Sequence, residues 1–373
     1  MKAAFVHDHV FLKHDDEYYS NGKLTYSQLS KYLKYFDDLL VIGRFKSVDV
    51  KPEESFKSNG DRVSVFGLNG PLSKNGIIHR KSLLDEYRSI LSNVDVLISR
   101  LPSEHGILCN TVAKELGIKI INEMVASPFD CLWYRGDFIA KLYAPILSYR
   151  TKRAIYLSPN TIYVTKKYLQ DCYPNNSHFQ SCAISDVRIH DIYKKKTLSI
   201  KDQYVIGVIG NPALNLKNIR LLFDLVKMSN INLKLSIVGG SGGSPLEMEM
   251  NEHKNVELVG YVSDQKQLHK WFETLDIYIQ PSFTEGLPRS IIEAMSHAIP
   301  VFGSNVGGIP ELVHPDFLFS PKDVNKINAL VNRCLFSHEQ YEKLSMYSID
   351  QASMFSCNLD VERDEFIIKA ISE

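Results

Sequence analysis

From residue 205 onward, short apolar runs alternate with helical patterns, and this alternation constrains the fold more than any other feature of the chain. The runs at 205–209, 233–238, 256–259, 276–280, 300–302 and 317–319 read as buried strands, and buried strands separated by helices make a parallel sheet covered on both faces. The first half repeats the theme less cleanly, with strands expected at 3–6, 39–42, 63–66, 94–99, 119–122 and 161–164. A chain of 373 residues suits two such domains, each large enough to bury a core. The expected fold class is therefore α/β, with two facing doubly wound units. Residues 190–202, which include Lys194, Lys195 and Lys196, are polar and aperiodic, so the hinge is placed there. The expected division is a first domain over 1–190, a linker over 191–202, a second domain over 203–354 and a C-terminal helix over 355–373. Ligands of doubly wound sheets bind beyond the carboxyl ends of the strands, which makes the cleft between the domains the expected site.

Composition narrows the function classes. Lys and Arg balance Asp and Glu at 43 each, yet residues 1–200 carry 28 to 21 and the remainder 15 to 22, so the halves are about +7 and −7. A basic first half suits a solvated face or an anionic partner. The six cysteines, Cys109, Cys131, Cys172, Cys182, Cys334 and Cys357, form no paired framework, which fits reduced thiols and a cytoplasmic location. No apolar stretch has the length of a signal peptide core or a membrane span. His7-Asp8-His9 offers side chains that diverge at a strand end, and no metal is expected there. Neither domain's first strand is followed by Gly-x-Gly-x-x-Gly, which disfavours a dinucleotide dehydrogenase, and no motif favours nucleic acid.

Residues 276–298, DIYIQPSFTEGLPRSIIEAMSHA, read as a strand, a loop broken by Pro281, Gly286 and Pro288, and a helix beginning near Arg289. Unpaired N–H groups and the positive dipole end at such a helix start favour phosphate, and Gly286 permits close approach. Glu285 before the helix and Glu293 within it are spaced to reach two parts of one elongated ligand.

Glu285-Gly286-Leu287-Pro288, Glu293-Ala294-Met295, Pro300-Val301 and Gly307-Gly308-Ile309-Pro310-Glu311 together resemble glycosyltransferase family four, dense over 205–313. The resemblance implies a GT-B fold of two facing Rossmann-like domains and a retaining transferase using a sugar nucleotide of UDP or GDP type, without a protein-bound metal. It places Glu285 by the donor sugar, Glu293 on the ribose, and the amides of Gly286 and Leu287, with Pro288 following, on the diphosphate. Gly210 ends the first strand of the second domain, and Lys217 matches the family's diphosphate-binding lysine. Asn211 and Pro212 stand where the family carries Arg, and Arg100, at the end of the strand over 94–99, is the candidate substitute cation. Tyr261 and Val262, in the turn 260–264, match the segment whose backbone meets the base. Ser263 or Asp264 equally serves as a helix cap there. Gly22, in Tyr18 to Lys23, matches the loop that closes over the donor.

Ser99 to Ser103, Trp133, Tyr163-Val164-Thr165, Leu169-Gln170 and Tyr173-Pro174 are similar to the subset that builds bacterial capsules, exopolysaccharides and O-antigens. This implies a saccharide acceptor on polyprenyl diphosphate, met at the inner face of the membrane. The apolar and basic residues of 133–156 read as the core face of a helix in preference to a helix lying on anionic lipid, with their cations available to lipid phosphates. His105 and Asp130 are candidates for the first-domain residue that approaches the sugar. Two other readings stand beside transfer: a sugar-nucleotide epimerase or hydrolase, which needs no acceptor, and a silent sugar-nucleotide-binding subunit, which the missing Arg near Asn211 favours.

Overall fold

The computed structural model describes residues 1–20, 24–194, 196–240, 242–355 and 358–372, so Gly22, Lys195 and Cys357 lie outside the described residues. Two sheets organise the chain. The first contains β1 (Lys2–His14), β2 (Glu17–Tyr19), β3 (Asp38–Ser47), β4 (Val63–Leu68), β5 (Val96–Leu101), β6 (Lys119–Met124), β7 (Asn160–Tyr163) and β8 (Gln180–Ala183). Its order is β4-β3-β1-β5-β6-β7-β8, parallel throughout, with β2 folded back antiparallel on β1. The second contains β9 (Tyr204–Ile209), β10 (Leu233–Val238), β11 (Val256–Gly260), β12 (Ile277–Gln280), β13 (Val301–Ser304) and β14 (Leu318–Phe319), in the all-parallel order β11-β10-β9-β12-β13-β14. This is the α/β fold of two doubly wound domains expected from the alternating runs. In each sheet the order reverses beside the first strand, between β1 and β5 and between β9 and β12, and a crevice opens there.

Burial explains which strands the sequence displays. Ile206, Val208, Ile277, Tyr278 and Ile279 are shielded on both sides of the second sheet, so β9 is apolar throughout and β12 is apolar up to its closing Gln280. The first sheet departs from expectation at three places. β1 runs far beyond residue 6, because the polar His7-Asp8-His9 marks only a register shift against β3 between Val6 and Val10. β2 is too short, and the edge strand β8, of sequence QSCA, too polar, to stand out.

The helix Asn358–Ser372 returns to the first sheet, where Ile367 and Ala370 enter its core and Arg363 pairs with Glu123 on β6 at 2.6 Å. Before β9, Tyr193 stacks on His297 and His269 with centroids 4.3 and 4.5 Å away, and its N–H donates to the Ser296 carbonyl. Lys196 Nζ donates to the carbonyls of Glu273 and Leu275. The chain between the sheets is thus fastened to the second domain.

The helix Phe138–Tyr156 corrects a sequence reading. Ala140, Ala144, Leu147, Thr151 and Ile155 face the core, whereas Phe138, Ile139, Leu142, Ile146 and Tyr149 face outward. Both faces are apolar, and periodicity alone cannot say which one is covered.

Candidate functional site

The reversal between β9 and β12 brings two loops together. After β9 the chain passes Gly210 and Asn211 and forms the short turn Asn215–Lys217. Asn218, at φ 52°, donates from Nδ2 to the carbonyls of Pro281 and Pro321, and Phe283 N–H donates to the Leu216 carbonyl. Tied to the loop after β12 in this way, Lys217 Nζ sits 2.7 Å from Glu285 Oε1.

Glu285 is held on one side only. Oε1 also accepts from Ser282 Oγ at 2.7 Å and from Gln280 Nε2 at 3.2 Å, while Tyr278 and Ser290 donate to Gln280 Oε1. These donors fix the carboxylate plane, and among the described residues Oε2 has no hydrogen-bond partner. One oxygen is saturated and the other is available to a ligand hydroxyl.

The helix Arg289–Ser296 begins one turn further on, capped by Pro288, which has no side chain to satisfy the first amides. Among the described residues the N–H groups of Gly286, Leu287, Arg289 and Ser290 donate to no protein acceptor. The first sheet makes the opposite choice at its own reversal. There Asp8 accepts from Ser103 Oγ at 2.8 Å, Glu104 N–H at 2.8 Å and His105 N–H at 3.0 Å, closing the start of the helix Glu104–Leu116 with the chain's own carboxylate. Among the described residues, the second crevice alone keeps the start of its helix open to an anion.

The other expected donor residues lie around this point. Glu293 sits in the same helix, paired with Arg289 at 2.7 Å. An added Cβ on Gly210 would press on Ile219 Cδ1 at 3.2 Å and meet the Lys217 stem at 3.4 Å. Asn211 Oδ1 accepts the Ala213 N–H in a local turn, which is what the chain builds where the family carries Arg. Tyr261 is exposed and Val262 packs against the second core, while Asp264 caps the helix Gln265–Thr274.

Arg100 requires correction. Its guanidinium binds Glu123 at 2.9 Å and also Asp186, and Arg363 approaches the other oxygen of Glu123. Burial works against the charge of Arg100, but Asp186 and Glu123 outweigh it and raise its pKa. Two of its nitrogens are held in a half-buried ion cluster around the buried Glu123. His105 is likewise withdrawn from the cleft. It is fully buried, its Nδ1 meets Tyr87 Oη at 2.6 Å, and burial lowers its pKa to about 4.

The first domain faces the pair with other groups. Gly286 packs against the Val125 carbonyl so closely that a Cβ has no space. Tyr134 stacks on Phe283 across the cleft with centroids 5.2 Å apart. Burial first, then Asp130 and Glu285, push the Cys131 thiol up to about 11, with Lys217 opposing. Asp130 accepts from Tyr168 Oη at 2.5 Å. Glu311 crosses in the other direction, its carboxylate accepting the N–H groups of Lys166, Lys167 and Tyr168 at 2.6, 3.1 and 2.8 Å. Sequence reasoning passed over Gln280, Ser282 and the role of Glu311. A glutamine closing an apolar strand was a usable signal for the first, but nothing local announces a partner in the other domain.

Among the described residues no cluster of three or more His, Cys, Asp or Glu is placed to hold a metal, and no helix is long and apolar enough to cross a membrane.

Residues 190–351 match the family described as Glycosyl transferases group 1. Over 99% of its length the chain is 33% identical to Protein CapJ of Staphylococcus aureus, covering 95% of that protein. A 102-residue stretch, 27% of this chain and 26% of the relative, is 34% identical to the O-antigen chain mannosyltransferase B of Escherichia coli. Among solved structures, the sucrose-phosphate synthase of Thermosynechococcus elongatus superposes with a TM-score of 0.71 at 15% identity, covering 100% of this chain and 99% of the other. Anabaena Alr3699/HepE, solved in complex with UDP, gives 0.67 at 16% identity over 99% and 100% of the two chains. At these identities the solved structures establish the shared fold alone.

Proposed function

The chain belongs to the group 1 glycosyl transferases, in the part of that family concerned with capsule and related polysaccharides, and we propose that it moves a sugar from a nucleoside diphosphate to a polyprenyl-diphosphate-linked saccharide with retention at the anomeric carbon. The observation that carries this reading is the crevice between β9 and β12. A carboxylate with one free oxygen, an ammonium 2.7 Å from its other oxygen, and a row of unoccupied amides converge there.

Such a site suits a leaving diphosphate. As the bond from the anomeric carbon to the phosphate oxygen breaks, negative charge grows on the phosphate beside Lys217 and the amides of Gly286, Leu287, Arg289 and Ser290. The acceptor hydroxyl attacks from the same face, and its proton passes to the departing phosphate oxygen. Glu285 Oε2 orients a sugar hydroxyl and opposes the positive charge that develops on the ring. Glu293, one turn into the helix, takes the ribose. Positioning and fixed charge carry the catalysis, so the missing Arg at Asn211 leaves Lys217 and the amides to stabilise the leaving group. A lipid-linked acceptor brings the protein to the inner membrane surface.

The test is transfer to a synthetic polyprenyl-diphosphate saccharide from a panel of UDP- and GDP-sugars, with the anomeric configuration of the product read by NMR. Retained configuration and acceptor-dependent donor consumption are expected. An inverted product removes retention. Equal donor consumption without acceptor turns the assignment to a hydrolase or epimerase.

A further inference from the structure

We propose that the outward face of the helix Phe138–Tyr156 is the surface by which this protein lies on an anionic lipid bilayer. Phe138, Ile139, Leu142, Ile146 and Tyr149 are 74, 77, 61, 51 and 66% exposed, and Tyr156 continues the stripe. At 3.6 residues per turn these positions fall within an arc of about 100°. The opposite arc, Ala140, Ala144, Leu147, Thr151 and Ile155, is buried. A helix that is apolar all round is ordinarily covered all round, and this one is covered on half its circumference only.

Charge identifies the occupant. The 19 residues of the helix contain no carboxylate. Arg150 is spent on Glu104 within the protein, which anchors the helix through its inner side together with Tyr143. Lys141, Lys152 and Arg153 remain exposed, with the two lysines along one flank of the apolar stripe and Arg153 near its C-terminal end. Aromatic and aliphatic side chains bordered by cations, with no acid among them, match the boundary between acyl chains and anionic headgroups. A second copy of this chain would bring the same cations against themselves. The helix lies well placed for such a role. The turn that precedes it touches the donor domain, with Tyr134 stacked on Phe283 and Gly136 packed against Asn215, two residues from Lys217. A bilayer on this face would present a lipid-borne saccharide at the edge of the cleft, so the inference rests on the lipid-linked acceptor reading.

The experiment is co-sedimentation of the full chain with vesicles of phosphatidylglycerol and phosphatidylethanolamine, beside vesicles of phosphatidylcholine alone. Binding is expected on the anionic vesicles and should weaken as salt is raised to about 0.5 M. The triple variant Leu142→Ser, Ile146→Ser, Tyr149→Ser should lower that binding by roughly tenfold or more. The double variant Lys152→Glu, Arg153→Glu should lower it on anionic vesicles specifically. Both variants should keep wild-type turnover on a saccharide acceptor free of lipid, because the substituted side chains are exposed. Equal vesicle binding by the triple variant and the wild type overturns the inference. So does a wild-type dimer that the triple variant splits while neither binds vesicles, which assigns the face to a second copy. Vesicle binding without transfer to a lipid-linked acceptor sinks the acceptor reading and leaves the docking surface standing.

Discussion

Replacing Glu285 by Gln tests the centre of the proposed site with almost no change of shape. Lys217, Ser282 and Gln280 all donate to Oε1, at 2.7, 2.7 and 3.2 Å, so the amide oxygen of the new side chain must take that place and its NH2 must take the place of Oε2. Three contacts survive: those from Ser282 and Gln280 become neutral hydrogen bonds, while the Lys217 ammonium remains a charged donor. A hydrogen bond to a charged group contributes about 1.5–3 kcal/mol and a neutral one about 1 kcal/mol, so weakening the Ser282 and Gln280 bonds should lose the fold about 1–4 kcal/mol. The free position changes from acceptor to donor, and the charge that opposes a positive sugar ring disappears. Loss of one preorganised electrostatic group costs about 3–4 kcal/mol of transition-state stabilisation, or a factor of roughly 10²–10³ in kcat. Affinity for the free nucleoside diphosphate should not weaken, because Lys217 then faces the phosphates without a carboxylate beside it. Radiolabelled transfer gives kcat, and titration calorimetry with UDP and GDP gives the affinity. Turnover within about twofold of wild type would falsify the role of Glu285. Loss of nucleotide affinity together with a large loss of stability would instead make Glu285 a structural post for the Lys217 turn.

Gly286→Ala should act through the other domain. The φ of Gly286 is not in the left-handed region, so alanine is unstrained locally, but its Cβ would collide with the Val125 carbonyl and force the domains apart. A shift of that kind should cut transfer by roughly a hundredfold while leaving stability nearly intact; full activity with an unchanged radius of gyration in solution scattering refutes the closed contact. Arg363→Met should destabilise the fold by about 3 kcal/mol in urea unfolding, because Glu123 is buried and loses one of its two cations. A loss below about 1 kcal/mol would mean that Arg100 and Tyr32 suffice for Glu123. His105 titrates near pH 4 in the folded chain against about 6.5 when unfolded, so the unfolded state takes up the proton first as pH falls. Its contribution to stability is therefore complete above pH 6.5 and declines by about 1.4 kcal/mol per pH unit between 6.5 and 4. The pH dependence of urea midpoints should flatten over that window in His105→Gln, and an identical slope in both proteins contradicts the assignment.

Much of the second-domain site was legible because its chemistry is local. Glu285, Gly286 and Glu293 follow one strand and enter one helix, so strand period, loop glycine and helix start locate an open anion site within a few residues. Lys217 was named by the family resemblance, and the structure brings it from the loop after β9 to Glu285. Arg100 misled because its position after a strand was visible while Glu123, Asp186 and Arg363 came from three other segments. The helix Phe138–Tyr156 misled because each face reads alike in sequence.

The sequence by itself determined the two wound sheets, most of their central strands, and the loop whose amides stay open to an anion. These follow from interactions between residues close in the chain: strand period, helix starts, glycine at a tight approach. Tertiary structure alone decided which charges are spent and which are free. It paired Arg100 with Glu123 and Asp186, closed the first crevice with Asp8, set Glu311 on the amides of the opposite domain and left one face of the Phe138–Tyr156 helix uncovered. Those outcomes depend on partners far away in sequence, because an ion pair or a covered face needs a second surface that local pattern does not specify.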